Sequence, residues 1–157
     1  MSWLYHNNPF TNPQEKYVGF VYIIYNLESG RWYIGKKLFT SAGYKQIKKK
    51  RKKLRIASDW LDYFGSNRVL QEDVTKLGPD KFKREILRLC THRSECTYFE
   101  SQYIFDSGAL LDRMSYNEWL TCKVTSMHTN SWPKPVNLKK LSKKKIDLEV
   151  KRILNNR

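Results

Sequence analysis

Residues 18–35 read Val18-Gly-Phe-Val-Tyr-Ile-Ile-Tyr25, then Asn26-Leu-Glu-Ser-Gly30, then Arg31-Trp-Tyr-Ile-Gly35. The two outer pieces are rich in β-branched and aromatic residues, which favour strands, and the polar middle piece contains a turn-forming glycine. This pattern predicts a β-hairpin. With residues 26–29 as the loop, Tyr22 would lie directly opposite Tyr33, and both phenols would project from one face.

Outward from the hairpin, local patterns predict helical segments and one more strand. Ser58-Asp59 favours the start of a helix, and the apolar residues from Val69 to Leu77 have helical spacing. The segment Ser94–Ser107 is predicted to be a helix that ends at Gly108. Between them, the imperfectly alternating segment Phe82–Leu89 is predicted to be the third strand. We therefore expect an α+β fold, with a small central antiparallel sheet (the N-terminal hairpin plus a third strand) flanked by helices.

Three regions are expected along the chain. Residues 1–16 have no clear period and predict an N-terminal arm, and residues 17–131 form the main domain. The run Trp132-Pro-Lys-Pro135 cannot sustain a regular element and marks the start of a basic linker and helical tail, residues 132–157. Ile146, Val150, Ile153 and Leu154 recur at helical spacing in this tail.

The charge is concentrated in two segments. The 157 residues include 30 Lys and Arg against 15 Asp and Glu, a formal net charge of +15. Residues 36–55 hold ten basic residues and no acid, and residues 134–157 hold nine basic residues and two acids, so the remainder is close to neutral. The first segment lies in a basic insertion, residues 36–56, that we expect to be a loop or frayed helix.

Such an imbalance predicts a polyanionic partner whose binding depends strongly on salt. We favour nucleic acid over an anionic lipid surface. The predicted contacts are the clustered basic residues Lys45, Lys48, Lys49, Lys50, Arg51, Lys52, Lys53, Lys139, Lys140, Lys143, Lys144 and Lys145.

Several classes of protein are disfavoured. No apolar run approaches the roughly 20 residues of a membrane span, and the N-terminus lacks the layout of a secretory signal. Three cysteines, an odd number, predict reduced thiols and a cytoplasmic location. Zinc is disfavoured because the possible ligands match no paired spacing; they are Cys90, His92, Cys96 and Cys122, with His128 in reserve.

Glu100 breaks the packing pattern of its predicted helix. Cys96, Phe99, Tyr103 and Ile104 share an apolar face, and at about 100° per residue Glu100 falls inside the same arc. Because burial of an unpaired carboxylate is very costly, Glu100 must find a cation, hydrogen-bond donors or a metal ion. The alternative is a position at the edge of the stripe, paired with a surface lysine.

Two phenols, one carboxylate and a cluster of cations suit the hydrolysis of a phosphodiester. A phenol can take or relay a proton from water, a carboxylate can hold Mg²⁺, and cations stabilise the pentacovalent phosphate. The ordinary alternative is that Tyr22 and Tyr33 only pack in the strands, which tyrosine favours.

These elements, in their order and spacing, resemble the GIY-YIG nucleases. Phe20-Val21-Tyr22 stands in place of the Gly-Ile-Tyr element, with Phe20 where glycine is usual, and Tyr33-Ile34-Gly35 repeats the Tyr-Ile-Gly element. Glu100-Ser-Gln-Tyr-Ile104 resembles the helix that supplies the metal-binding glutamate, and Tyr116-Asn117 resembles the Tyr-Asn element. Residues 58–67 look like a variant seen in phage-encoded members. The resemblance covers residues 17–120.

The resemblance implies a metal-dependent endonuclease that hydrolyses the phosphodiester bonds of double-stranded DNA. Carried over to this chain, Tyr33 or Tyr22 would help to activate water, Glu100 would bind Mg²⁺ or Mn²⁺, and Asn117 would support the site. A homing role and a role in degrading or restricting foreign DNA are both compatible, and a phage-encoded member would act in the cytoplasm of the host cell.

The arginine of the family would fall in residues 40–43, which contain none. Lys36, Lys37 and Arg55 are therefore the candidates for its role. A single metal site gives one cut, so cleavage of both strands would need a homodimer, a protein partner or successive nicks.

Two other functions remain open from the sequence. One is a catalytically inactive nucleic-acid-binding protein that keeps the nuclease fold. The other is a structural or regulatory protein whose tail helix binds an acidic partner.

Overall fold

The computed structural model describes residues 2–47, 50–134, 136 and 141–156, with the backbone alone for residues 44–47 and 50–54. Its strands are β1 (Trp3–Tyr5), β2 (Asn8–Phe10), β3 (Gly19–Asn26), β4 (Trp32–Leu38), β5 (Thr40–Ile47), β6 (Lys50–Ala57) and β7 (Phe82–Cys90). Its helices are α1 (Arg68–Leu77), α2 (Arg93–Ser107), α3 (Ser126–Thr129) and α4 (Lys143–Asn155), with short 3₁₀ helices at Trp60–Asp62, Pro79–Lys81 and Ala109–Leu111.

The expected α+β fold is confirmed. A sheet in the order β2-β1-β7-β3-β4 contains the hairpin β3–β4 and the third strand β7, which pairs antiparallel with β3. Helices cover both faces of this sheet, which explains why every residue of β3 is buried. One apolar cluster lies on the side of α2 and α4, and the other lies on the side of α1.

The predicted pairing of Tyr22 with Tyr33 is wrong by two positions. Tyr22 pairs with Gly35, and Tyr33 pairs with Ile24. The loop begins one residue later than predicted because the Asn26 side chain organises it: Asn26 Oδ1 accepts hydrogen bonds from the Glu28 and Ser29 amides. A shift of two preserves the faces, since side chains alternate with a period of two. The phenols therefore share one face, with ring centroids 6.2 Å apart.

Residues 2–16, within the predicted N-terminal arm, include two short strands. β1 pairs in parallel with β7, and β2 pairs with β1 in antiparallel orientation. Trp3 is fully buried, and its indole Nε1 donates a hydrogen bond to the Trp60 carbonyl, 2.7 Å away. No period is visible in this part of the sequence because each strand has only three residues, and the two strands are defined by their pairing with each other and with β7.

The basic insertion is a strand pair, not the loop or frayed helix predicted for residues 36–56. β4 ends at Leu38, and β5 and β6 then form a separate two-stranded antiparallel sheet, the basic ribbon, residues 40–57. Its base is closed by the Ser58 amide, which donates to the Phe39 carbonyl at 2.9 Å, and by the Ser58 hydroxyl, which donates to the Leu38 carbonyl.

The predicted helices are confirmed with small changes. α1, α2 and α4 lie where their periodic patterns are, whereas Ser58-Asp59 leads only into the short 3₁₀ helix. α4 packs on the main domain through buried Ile146 and Ile153, and Lys83 Nζ donates to Glu149 Oε1 at 2.7 Å. No helix in the described part of the chain is both long and apolar enough to cross a bilayer. The boundary at residue 132 stays a prediction.

Candidate active site

A cavity of about 480 Å³ opens at β4, the edge strand of the main sheet. It brings together Tyr33, Lys36, Glu100 and Asn117, four of the residues singled out from the sequence. The remaining lining residues are Ser66, Asn67, Arg68, Ile104, Glu118, Trp119 and Thr121. Because β4 is an edge strand, groups from both sheet faces can reach one opening: α2 supplies Glu100, and the turn before α1 supplies Ser66 and Asn67.

Gly35 makes room for the tyrosines of this site. A Cβ atom at Gly35 would lie 2.5 Å from the Tyr22 hydroxyl oxygen and 2.8 Å from Cε1 of Tyr33. Real side chains do not approach this closely, so any other residue would displace one of the two rings. The glycine of the Tyr-Ile-Gly element is therefore explained by the ring of Tyr22, which lies across the backbone of β4.

Tyr33 and Tyr22 occupy different depths. Tyr33 lines the cavity, and its hydroxyl is hydrogen-bonded to the Ser66 hydroxyl at 3.2 Å. Tyr22 is buried and lies outside the lining, against Tyr33 and Tyr63. Burial raises the pKa of Tyr33 above its usual 10, although the Ser66 hydrogen bond opposes the shift, and burial raises the pKa of Tyr22 well above 10. Both phenols are therefore protonated at neutral pH.

Glu100 has a lysine partner in the cavity. Lys36 Nζ lies 2.5 Å from Glu100 Oε2, and the carboxylate side chain is 17% exposed. Glu100 thus lies at the edge of the apolar stripe of α2, with Cys96, Phe99 and Ile104 buried beside it. The sequence analysis gave this position, at the edge of the stripe and paired with a lysine, as the alternative to full burial. At this position Glu100 still lines the cavity.

Asn117 holds the edge of β4. Its Oδ1 accepts a hydrogen bond from the Ile34 amide at 2.9 Å, and its Nδ2 donates to the Ile34 carbonyl at 2.8 Å. The side chain therefore pairs with Ile34 as a neighbouring strand would. Beside it, the Tyr116 hydroxyl donates to Asp73 at 2.7 Å and accepts from Asn26, so the Tyr-Asn element connects the hairpin loop to α1.

The three candidates for the missing arginine are placed differently. Only Lys36 lines the cavity. Lys37 forms an ion pair with Asp59 at 2.6 Å and lies over the ring of Tyr63 at 3.6 Å. Arg55 is exposed on the basic ribbon, where it pairs across with Ala42, and it is outside the described lining.

The residues predicted to contact nucleic acid fall into three groups according to where they lie in the structure. The backbone of the ribbon contains Lys45, Lys50, Arg51, Lys52 and Lys53. Lys144 and Lys145 are exposed on α4, but Lys143 contacts Asp112 and Asp147. Lys48, Lys49, Lys139 and Lys140 lie outside the described residues.

Arg68 is the cation that the sequence reasoning missed. It is the first residue of α1, after the N-cap Asn67, and its guanidinium Nε donates to Glu72 at 2.8 Å while the side chain stays 90% exposed. The helix dipole disfavours a cation at this end and favours an anion. A cation in the first turn of a predicted helix, against the preference of the helix dipole, was the signal available in the sequence.

The donor set suits a divalent cation that keeps most of its waters. Mg²⁺ is commonly held by one or two carboxylates together with substrate phosphates and water. Glu100 supplies one carboxylate toward a cavity large enough for hydrated ion and phosphate. No cluster of three or more Asp, Glu, His or Cys side chains occurs among the described residues, so a closed protein cage for a metal is not built there.

The sheet-edge cavity is lined by one phenol, two cations and two carboxylates, which are supplied by Tyr33, Lys36, Arg68, Glu100 and Glu118. Residues 3–122 match the family model for the segE endonuclease GIY-YIG domain. Since this covers most of the 157 residues, the chain belongs to the GIY-YIG family. The domain indicates a nuclease, with DNA as its substrate, and GIY-YIG nucleases generally use divalent metals. Neither the curated proteins nor the solved structures gave a match.

Proposed function

We propose that this protein is a metal-dependent endonuclease that hydrolyses phosphodiester bonds in double-stranded DNA. The observation that carries the proposal is the convergence of Tyr33, Lys36 and Glu100 on one cavity, in a chain of the GIY-YIG family. Glu100, with water and phosphate oxygens, would hold Mg²⁺ or Mn²⁺, which when bound polarises the scissile phosphate.

Hydrolysis removes a proton from the attacking water and delivers one to the leaving oxygen. Because Tyr33 is protonated at neutral pH, it can accept a proton from water only as it passes its own proton to the Ser66 hydroxyl, 3.2 Å away. Ser66 lines the open cavity and would in turn release its own hydroxyl proton to the solvent. Tyr22, behind Gly35, keeps Tyr33 in place as a positioning residue.

Two cations surround the place where a phosphate would bind. Lys36 lies beside Glu100, and Arg68 stands at the N-terminus of α1. Both would stabilise the negative charge that grows on the phosphate oxygens during the displacement. Lys36, Lys37 and Arg55 were the candidates for the role of the family arginine, and Arg68 would share that role with Lys36. Asn117 would fix the strand that carries Tyr33 and Lys36.

The basic ribbon would make most of the contacts with the DNA phosphates. It holds eight basic residues and no acid, and a two-stranded ribbon fits the major groove of B-DNA. Lys45 pairs directly across from Lys52, an arrangement that destabilises an isolated ribbon. Bound phosphates would neutralise both lysines, so DNA would stabilise the ribbon as the ribbon binds DNA.

Cleavage of supercoiled plasmid, with Mg²⁺ and with EDTA, tests the proposal. Glu100→Gln removes the charge but keeps the shape, and we expect a loss of roughly 10²–10⁴-fold in cleavage rate with DNA affinity changed only a few-fold. The exposed Glu15→Gln serves as the matched control and should cut like the wild type. Circular dichroism checks that each variant is folded.

Equal cutting by wild type and Glu100→Gln, or undiminished cutting in EDTA, would overturn the assignment. If the wild type does not cut but retards DNA with steep salt dependence, the second function holds instead: a catalytically inactive nucleic-acid-binding protein.

A further inference from the structure

Trp119 is an exposed aromatic residue in the lining of the candidate active site. Its surface is 69% exposed, whereas the other tryptophans of the chain, Trp3, Trp32, Trp60 and Trp132, are all buried. An indole combines a large apolar face with a polar N–H group, and tryptophan is enriched where a protein surface binds another molecule. The packing of the fold therefore does not account for Trp119.

Trp119 lies close in the chain to a residue whose side chain is held in place. It follows Asn117 by two residues, and Asn117 is held at both polar ends by Ile34. Two residues of extended chain span at most about 7 Å. Trp119 and Asn117 line the same cavity as Lys36 and Arg68, so the indole is within reach of a nucleotide whose phosphate binds there.

The neighbours of Trp119 do not suit a phosphate. Glu118 and Thr121 line the same part of the cavity, and the segment 118–121, Glu-Trp-Leu-Thr, contains one acid and no cation. The cations, Lys36 and Arg68, belong to other elements. A nucleotide bound here would thus place its phosphate toward Lys36 and Arg68 and present its uncharged base to the indole.

We propose that Trp119 stacks on a nucleobase next to the phosphate that is cut, a role that rests on the proposed function. In a regular duplex both faces of a base are covered by neighbouring bases, so stacking on Trp119 requires an opened step. The substrate class follows: DNA with a mismatch, bulge or easily unstacked pyrimidine–purine step near the cut is bound more tightly than uniform duplex.

Fluorescence gives a direct readout because Trp119 is the one exposed tryptophan in the chain. Glu100→Gln protein is mixed with a duplex carrying a central bulge, and acrylamide quenching is measured with and without DNA. We expect DNA to shift the emission to the blue and to protect it from acrylamide. The double variant with Trp119→Phe should show neither change.

Binding and cleavage of the bulged duplex supply the second readout. Trp119→Ala should weaken binding by roughly 5- to 150-fold, the range for loss of one stacked base, and Trp119→Phe should lose much less because its ring remains. Leu111→Ala, which removes another strongly exposed apolar side chain, is the control and should leave binding unchanged. The preference for bulged over uniform duplex should disappear in Trp119→Ala.

The outcomes separate this role from the proposed function. If wild type cuts DNA but Trp119→Ala binds and cuts both duplexes normally, and DNA leaves acrylamide quenching unchanged, stacking is overturned while the nuclease stands. A blue shift that depends on protein concentration without DNA would instead assign Trp119 to self-association and overturn stacking. Absence of cutting by the wild type bears on the nuclease alone, since protection of Trp119 is measured in uncut complexes.

Discussion

The two basic segments of this protein differ in how their charge is compensated. The basic ribbon, residues 40–57, has no acidic residue and pairs Lys45 across from Lys52. In α4, Lys143 contacts Asp112 and Asp147, and Glu149 accepts a hydrogen bond from Lys83. The ribbon contacts the main domain through its base, whereas α4 buries Ile146 and Ile153 against it.

This difference shows that a count of charges does not identify a binding surface. Part of the charge of α4 forms ion pairs with the main domain, and these ion pairs help to hold the helix against it. The sequence of residues 40–57 contains eight basic residues and no acid, so like charges on the paired strands repel one another until an anion neutralises them. The ribbon is therefore the stronger candidate for DNA, and α4 is primarily part of the fold.

Neutralising four charges in each segment should give the largest difference, and DNA binding is the property that is compared. Gln replaces Lys50, Arg51, Lys52 and Lys53 in the ribbon variant, and Lys144, Lys145, Lys151 and Arg152 in the α4 variant. Each phosphate contact contributes about 0.9 to the salt slope of binding, so the ribbon variant should lose about 3–4 in slope and roughly 10²–10³-fold in affinity.

The α4 variant should lose less than about 1 in slope. Fluorescence anisotropy of a labelled duplex over a range of salt concentrations measures both, and the equal change in net charge makes the variants matched. Similar losses of salt slope in the two variants would show that the ribbon and α4 contribute equally to DNA binding. A larger loss from the α4 variant would make α4 the main DNA contact.

Truncation of Ile146 tests whether α4 belongs to the fold. Ile146 is fully buried, so Ile146→Ala leaves a cavity and should lower the free energy of unfolding by about 2–5 kcal/mol. Leu148→Ala on the exposed side of the same helix should cost less than about 1 kcal/mol. Urea unfolding measures both variants, and equal losses would mean that α4 is not docked.

The smallest expected effect concerns the ion pair at the start of α4. Burial opposes ionisation of Asp112, but hydrogen bonds from Lys143 and the Met114 amide outweigh it and hold the pKa of this carboxyl below its usual 3.8. Asp112→Asn should cost about 1–2 kcal/mol at about pH 7. Asp147→Asn, which removes the more exposed partner of the same lysine, should cost about 0.5 kcal/mol.

The pH dependence provides the check. Because the pKa of Asp112 is lowered by folding, its contribution is present above the unfolded pKa and is lost as pH falls through the folded one. The stability gap between wild type and Asp112→Asn should therefore shrink below about pH 4. A gap that stays constant down to about pH 2 would show that the carboxylate charge is not responsible.

Most of the secondary structure followed from patterns within a few residues. The hairpin, β7, α1, α2 and α4 all show local periods or turn residues, and Glu100 was recognisable because it breaks the period of α2. The ribbon was missed because its sequence contains a continuous run of lysine and arginine, residues 48–53, that has no apolar period. The three-residue β1 and β2 were missed because they are too short to show one.

The hairpin, β7, the helices α1, α2 and α4 and the exceptional position of Glu100 could all be predicted from the sequence, because side-chain periodicity is set by the local backbone. The identity of the cation that meets Glu100 depends on tertiary packing, since Lys36 is 64 positions away in the chain. The same holds for Arg68 and Trp119, which reach the cavity from α1 and from the loop after Asn117. Their meeting depends on how distant segments pack, and packing free energy is not contained in any local pattern.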